Sequence, residues 1–242
     1  SALACGGAVT PEAGFQIANT MGTLMQEALI GGQLIYPVVD DAWRPLPGRK
    51  AELLAIAAEI DARRDHVLRL SIDLAGMLVL AGDEAGLAAF EAAVPPLLGR
   101  FPMRLPNHAA FHTALQAPVA AKGRARLDEG LFGPPKLPLI DGRGAIWWPG
   151  ATRTSALWDY TLGHQVTETY DFARAMAVAA REFAPDLFIV TGPGTTLGSA
   201  VAQSLILAHW RGLDSKQAFQ AHQDQTPILA AMGMPSQRGW VV

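Results

Sequence analysis

Hydrophobic and polar positions near the start of the chain repeat with a helical period. Thr10 and Pro11 form a helix start, because Thr is a good capping residue and Pro fits the first helical position. The pattern ends at the glycine pair Gly31 and Gly32, which predicts a helix between these signals. Its apolar positions share one spacing: Phe15, Ile17, Ala18, Met21, Leu24, Met25 and Ala28.

Between about residues 33 and 105 the pattern changes from strand to helix and back. Four segments have the composition of strands, and two longer segments rich in Ala, Leu and Glu have that of helices. The predicted order βαββαβ is typical of a ferredoxin-like unit. In chain order the segments are Gln33–Val39, Arg49–Arg63, Val67–Ile72, Met77–Ala81, Asp83–Leu98 and Phe101–Leu105.

Beyond residue 113 the pattern predicts helices separated by short strands. Prolines and glycines mark turns after the strands at 139–140 and 146–147. A short buried strand at Leu187–Val190 precedes the turn Gly192–Gly194, and about thirty residues at the end have no clear assignment. The predicted helices cover Thr113–Leu127, Thr154–Thr161, Tyr170–Phe183 and Leu197–Trp210.

Composition limits the class of protein. Of the 242 residues, 50% are hydrophobic and 17% are charged, which predicts one large domain, or a large domain with a smaller one inserted. The net charge of −3 and the absence of a Lys/Arg-rich block argue against nucleic-acid and membrane-surface binding. No apolar run reaches the roughly 18 residues of a membrane span. The single cysteine, Cys5, indicates a reducing compartment, and we expect the cytoplasm.

The first residues, Ser1–Ala8, are small and apolar. They have no basic leader and are typical of the middle of a buried helix. Because domain ends usually lie at the surface, we expect further sequence before Ser1.

Two histidines four residues apart, His108 and His112, are the first candidates for chemistry. On a helix they would share a face, as zinc ligands do, but no Glu lies between them and no third ligand follows from the spacing. They could also be partly buried structural residues at a strand end. A third interpretation makes one of them a general base, because imidazole titrates near neutral pH. We predict no metal site.

The segment Gly194–Gly198 is similar to a nucleophile elbow with Thr196 in place of Ser. It could also hold a phosphate at a helix start. We favour a tight turn that packs a helix on a sheet. The polar cluster Tyr160–Thr167 could line a cleft or be a capped loop. For the pair Trp147 and Trp148, packing is favoured over a binding platform.

Four segments together resemble the malonyl-CoA:acyl-carrier-protein transacylase family, which includes acyltransferase domains of polyketide synthases. Ser1–Ala8 is similar to the helix that follows the family's G-H-S-L-G nucleophile motif. Gly22–Ala28 is similar to R-G-x-x-M-Q-E-A, Leu105–Leu115 to the catalytic-histidine segment with H-A-F-H, and Val190–Leu197 to V-G-P-G-x-x-L. Their order and spacing over about residues 1–205 carry the resemblance.

The resemblance implies an α/β fold. Residues 1–31 and 106–242 would form an α/β-hydrolase-like large domain, a parallel sheet with flanking helices, and residues 32–105 an inserted ferredoxin-like subdomain. It selects His112 as the catalytic base, with its ring oriented by a main-chain carbonyl near Thr167. The nucleophilic serine would lie four residues before Ser1, so we expect this chain alone to be inactive.

The implied activity is acyl transfer from acyl-CoA, as substrate, to the phosphopantetheine thiol of an acyl carrier protein, without a cofactor. The family's malonyl-selecting Arg corresponds to Met21, which predicts a preference for an uncharged acyl group. Phe111 lies where polyketide domains for unbranched extenders carry Phe, which predicts an unbranched α-carbon. The alternatives are a thioesterase or acylhydrolase on the same fold, and a non-catalytic module that docks a carrier protein.

Overall fold

A computed structural model describes residues 1–192 and 194–241. The chain is a mixed α/β structure, as predicted. Its helices are α1 Ala2–Cys5, α2 Pro11–Ala28, α3 Arg49–Asp61, α4 Glu84–Ala93, α5 Ala117–Arg126, α6 Thr154–Asp159, α7 Gln165–Thr167, α8 Phe172–Phe183, α9 Thr196–Leu207, α10 Lys216–Gln225 and α11 Pro235–Arg238. Its strands are β1 Gly32–Pro37, β2 Leu68–Asp73, β3 Met77–Gly82, β4 Met103–Arg104, β5 Leu139–Ile140, β6 Ile146–Trp147, β7 Tyr170–Asp171, β8 Phe188–Val190 and β9 Leu229–Ala231.

Helix α2 begins at the predicted capping residue and buries part of the predicted apolar face. The Thr10 side chain accepts a hydrogen bond from the Ala13 amide at 3.1 Å, and Pro11 occupies the first helical position. One face is buried through Ala13, Ile17, Met21 and Leu24. The helix therefore presents a continuous apolar stripe to the core that it shares with α5, and Met21 lies within that stripe.

The predicted βαββαβ unit is confirmed. Its sheet has the order β4-β1-β3-β2, with every neighbouring pair antiparallel, so β3 lies between the parallel strands β1 and β2. Strand β7, from the later part of the chain, extends this sheet by pairing parallel to β2. A separate hydrophobic core fills the unit with side chains from Leu34 to Phe101.

Two further cores hold the remaining elements. One joins α2 and α5 to the helical stretch at 154–167, and the other packs α8, α9 and α10 against the parallel pair β8 and β9. Strand β9 and helix α10 lie in the final thirty residues, which the sequence pattern left unassigned. Pro193, in the predicted turn before α9, lies outside the described residues. In the described part of the chain, no helix is both long enough and apolar enough to span a bilayer.

Candidate active site

A cavity of about 350 Å³ lies between α2, the loop that follows β4, and the helical stretch at 154–167. It brings together three of the residues selected from the sequence, Met21, Phe111 and His112. Its walls are otherwise mainly apolar. The lining residues are Ile17, Ala18, Met21, Met25, Phe111, His112, Thr161, Leu162, Gln165 and Val166. Histidine is thus the single titratable side chain among them.

The loop that carries His112 is held in an unusual backbone conformation. His112 has φ +57° and Asn107 has φ +59°, a left-handed region that non-glycine residues rarely occupy. Hydrogen bonds hold it there: the Ala110 amide donates to the Ile30 carbonyl at 2.8 Å, and the Thr113 hydroxyl donates to the Ala110 carbonyl at 2.7 Å. Such strain costs of order 1–3 kcal/mol and is concentrated at functional sites.

The imidazole of His112 is oriented by a main-chain oxygen. Its Nδ1 lies 2.6 Å from the carbonyl oxygen of Gln165. Because a carbonyl can only accept, Nδ1 carries the proton in the neutral ring, and the lone pair is on Nε2. Gln165 lies in the last turn of the helical stretch, where carbonyls lack partners within the helix. His112 therefore satisfies a helix-end carbonyl.

The predicted orienting carbonyl near Thr167 is corrected to that of Gln165, two residues earlier. Gln165 directly follows a π-helical segment, Tyr160–His164. The Thr167 hydroxyl instead donates to the Gly163 carbonyl at 3.2 Å. Among the described residues, those lining the cavity do not include Thr167.

Burial sets the protonation of His112. Removal of the ring from water lowers the pKa of His112 below its ordinary value of 6.5, and the hydrogen bond to the Gln165 carbonyl opposes this only in part. The ring is therefore neutral at pH 7, with Nε2 able to take a proton. No hydrogen bond to Nε2 is seen within the described ranges.

Met21 supplies no charge to the cavity. Its side chain is buried and its thioether packs against Gly123 of α5. The cation next to Gly123, Arg124, pairs with Asp159 at 2.6 Å and is not among the lining residues of the described cavity. An acyl group placed beside His112 would thus meet apolar groups on the α2 side.

A chain of hydrogen bonds connects the other histidine to the same loop. His108 Nδ1 lies 2.8 Å from Gln33 Oε1, Gln33 Nε2 donates to the Ser71 hydroxyl at 2.7 Å, and that hydroxyl donates to the Phe111 carbonyl at 2.8 Å. Gln33 and Ser71 are buried in strands β1 and β2. Sequence reasoning missed both, although a polar residue inside a predicted buried strand is a usable signal.

Of the remaining candidates, the cluster at 160–167 lies at the cavity and the others lie outside it. Thr196 begins α9, and its neighbour Thr195 lines a different cavity, which agrees with the favoured turn. Trp147 donates to Asp141 at 3.1 Å, while Trp148 is half-exposed beside Phe183. Thr161 shows that the polar cluster at 160–167 does line a cleft. Within the described residues, no group of three or more His, Cys, Asp or Glu could hold a metal ion.

Comparison with known proteins gives a consistent result for the fold. No protein-family model and no curated protein matches the chain. Solved structures do match: an acyl-carrier-protein S-malonyltransferase from Burkholderia pseudomallei 1710b aligns with a TM-score of 0.71 and 20% identity, over 97% of this chain and 66% of that one.

Malonyl-CoA:acyl-carrier-protein transacylase from Synechocystis sp. PCC 6803 aligns with a TM-score of 0.71 and 16% identity, over 99% of this chain and 68% of that one. The chain has the fold of the malonyl-CoA:acyl-carrier-protein transacylases. A third matching structure is that of a type II polyketide-synthase acyl carrier protein in complex with its malonyl-transacylase. It aligns with a TM-score of 0.70 and 18% identity, over 97% of this chain and 66% of that one. The chain spans about two thirds of the length of these structures.

Proposed function

We propose that this chain carries the base and the acyl-binding cavity of an acyltransferase that moves an acyl group from acyl-CoA to the phosphopantetheine thiol of an acyl carrier protein. The observation that carries the proposal is the contact of His112 Nδ1 with the Gln165 carbonyl, 2.6 Å long, at the wall of an apolar cavity. This contact leaves Nε2 as the basic atom where an acyl group has room to bind.

The reaction needs two proton relays through His112, one in each half-reaction, and each relay consists of one proton taken up and one given back. A serine hydroxyl attacks the thioester carbonyl while Nε2 takes its proton, and the coenzyme A thiol leaves with that proton. The carrier-protein thiol then attacks the acyl-serine, giving its proton to Nε2, which returns it to the serine oxygen. The imidazolium between these steps lies at a helix C-terminal carbonyl, a position that favours positive charge.

None of the described residues that line the His112 cavity is the attacking serine of this mechanism. The family resemblance places it four residues before Ser1. In support, Ser1, Ala2 and Leu3 line a second cavity that shares Thr161 and Gln165 with the cavity of His112. A residue joined to the amino end of the chain would therefore lie on the His112 side of the large domain.

The acyl group that the cavity favours is uncharged. A malonyl carboxylate beside Met21 would lose its hydration without gaining a bidentate partner, which is costly for a charged group. Phe111, on the adjacent wall, supports an unbranched α-carbon. The carrier protein as acceptor is supported by the fold shared with a transacylase solved in complex with such a protein.

The test uses the full-length gene product that contains this chain, with acetyl-, hexanoyl- and malonyl-CoA and a holo acyl carrier protein. Mass spectrometry of the two proteins is expected to show acyl transfer to the carrier, fastest for the uncharged acyl groups. The variant H112A is expected to lose about 10²- to 10⁴-fold in rate, the usual contribution of a general base.

The matched control is H66A. His66 also bonds a main-chain carbonyl, that of Arg64 at 2.9 Å, but lies partly exposed in the ferredoxin-like unit. H66A should keep the wild-type rate. Release of free acid without a carrier protein would indicate a hydrolase instead, and absence of any acyl-protein would indicate a non-catalytic module. Faster loading of malonyl than of acetyl would overturn the assignment of Met21.

A further inference from the structure

Gly123 lies in the interior of α5, where a glycine is unfavourable. It destabilises a helix by about 0.5–1 kcal/mol relative to alanine, so a packing reason is expected at such a position. The backbone of Gly123 is helical, and no positive φ requires the glycine. The reason must therefore come from what lies against the helix.

What lies against Gly123 is the side chain of Met21. A Cβ at position 123 would be 2.4 Å from Met21 Sδ and 3.2 Å from Met21 Cε. Within the described residues, no other atom outside α5 and its immediate backbone lies within 4 Å of that position. The thioether of Met21 thus occupies the space that any larger residue at 123 would need.

The same Met21 side chain forms a wall of the His112 cavity. A side chain at 123 would displace the thioether, since a methionine is flexible and the backbone of α5 is not. The other neighbours of Met21 are packed core residues, whereas the cavity is open space. The displaced thioether would therefore move into the cavity and reduce its volume.

We infer that Gly123 is a specificity-determining residue, which sets the length of acyl chain that the cavity accepts by letting Met21 lie flat against α5. This inference rests on the proposed acyl-transfer function. At roughly 30 Å³ per heavy atom, the volume of a water molecule in the liquid, 350 Å³ holds about ten heavy atoms. The wild-type protein accepts acyl chains longer than acetyl, and a residue larger than glycine at 123 restricts it to acetyl and other short groups.

The experiment compares full-length wild type with G123A, M21A and the double variant M21A/G123A. The measured quantity is the ratio of kcat/KM for hexanoyl-CoA to that for acetyl-CoA. G123A is expected to lower this ratio about tenfold or more, since one methylene in an apolar pocket changes discrimination by roughly 10- to 200-fold. M21A should raise it. The double variant should have a higher hexanoyl-to-acetyl ratio than G123A, because no thioether remains to be displaced.

The matched control is G22A on α2, the residue next to Met21. A Cβ there has no neighbour within 4 Å, so G22A makes the same Gly-to-Ala change in a helix without a collision. Its hexanoyl-to-acetyl ratio should equal that of wild type. A G123A protein that remains folded and keeps the wild-type ratio within twofold would overturn the inference, as would a double variant that behaves like G123A.

A second readout does not depend on catalysis. In this chain with ¹³C-methyl methionine, the Met21 Cε methyl should gain nuclear Overhauser contacts with the Phe111 ring in G123A but not in G22A. If the wild-type protein transfers no acyl group, the proposed function fails. The NMR measurement still shows whether the Met21 thioether is displaced in G123A. Unchanged Met21 methyl contacts in G123A would refute the displacement itself, and with it the role of Gly123.

Discussion

The Nδ1 atom of His112 lies 2.6 Å from the main-chain oxygen of Gln165, and this contact joins the strained loop after β4 to the end of the helical stretch at 154–167. A backbone oxygen keeps its place whatever side chain residue 165 carries. The contact therefore fixes the tautomer of the ring without a carboxylate, and burial then determines its pKa.

The pH dependence of acyl transfer follows from that burial. Because the pKa of His112 is lowered from 6.5, the ring stays neutral at pH 6.5 and above. We expect kcat/KM for acyl loading to fall with decreasing pH, with a midpoint below 6.5. A ¹⁵N NMR titration of the ring should give the same midpoint. A midpoint above 6.5 would contradict the role of burial.

Stability should depend on pH through the same group. In the unfolded chain His112 titrates near 6.5, so below that pH the unfolded state binds more protons than the folded state. The free energy of unfolding is then expected to fall as the pH decreases from about 6.5 towards the folded-state pKa. Urea unfolding of wild type and H112A at several pH values measures this, and H112A should lack the contribution of this group to the fall.

Replacing Met21 by arginine should change the acyl preference. M21R places a guanidinium where it can pair with the malonyl carboxylate in two hydrogen bonds, so malonyl loading should rise relative to hexanoyl loading by at least tenfold. The unliganded protein should lose stability, because a buried cation lacks a partner. M25R, which puts the same group one turn later on the same wall, is the control. An equal malonyl gain in both variants would show that position 21 is not special.

Ser71 should position the catalytic loop rather than touch the substrate. S71A removes the hydroxyl that joins Gln33 to the Phe111 carbonyl and leaves both buried groups without that partner, at about 1–3 kcal/mol. We expect kcat to fall with little change in KM, a shifted pH profile, and partial rescue by S71T. The control is S204A, which removes a buried hydroxyl that bonds only within α9. If the pH profile of S71A is identical to that of wild type, Ser71 has a purely structural role and does not position His112.

Asp141 should be important for stability. Its buried carboxylate accepts hydrogen bonds from the amides of Arg143 and Ala145, from the Arg143 guanidinium and from Trp147 Nε1. D141A leaves these donors unpaired in the β5–β6 hairpin, and a loss of about 3 kcal/mol or more in unfolding free energy is expected. D141N, which keeps the acceptor for the turn amides, should lose less. Equal losses in the two variants would contradict this account.

Local signals in the sequence predicted most element types, although Tyr170–Asp171, predicted as helix, forms strand β7. The capping Thr10, the apolar stripe of α2 and the βαββαβ order are properties of short segments, and the structure confirms them. The helix ends were less well predicted: the segment at Asp83–Leu98 is helical only over Glu84–Ala93, because Pro95 and Pro96 follow. The division of the chain at residues 31 and 105 stays a prediction.

Contacts between residues far apart in the chain could not be predicted from the sequence pattern. Strand β9 pairs with β8 across about forty residues, and a strand of three residues is too short to show a period of its own. The hydrogen-bond partner of His112 was predicted near Thr167 and is the Gln165 carbonyl, because the exact residue depends on how the helical stretch packs against the loop.

The sequence by itself determined the fold class, the helix that carries Met21, and the choice of His112 through its segment's family resemblance. Only the tertiary structure decided that Met21, Phe111 and His112 line one cavity, that Gln165 orients the ring, and that Gly123 makes room for the Met21 thioether. Periodicity and capping act within a few residues and can be read locally. The site depends on distances between segments far apart in the chain, which packing alone determines.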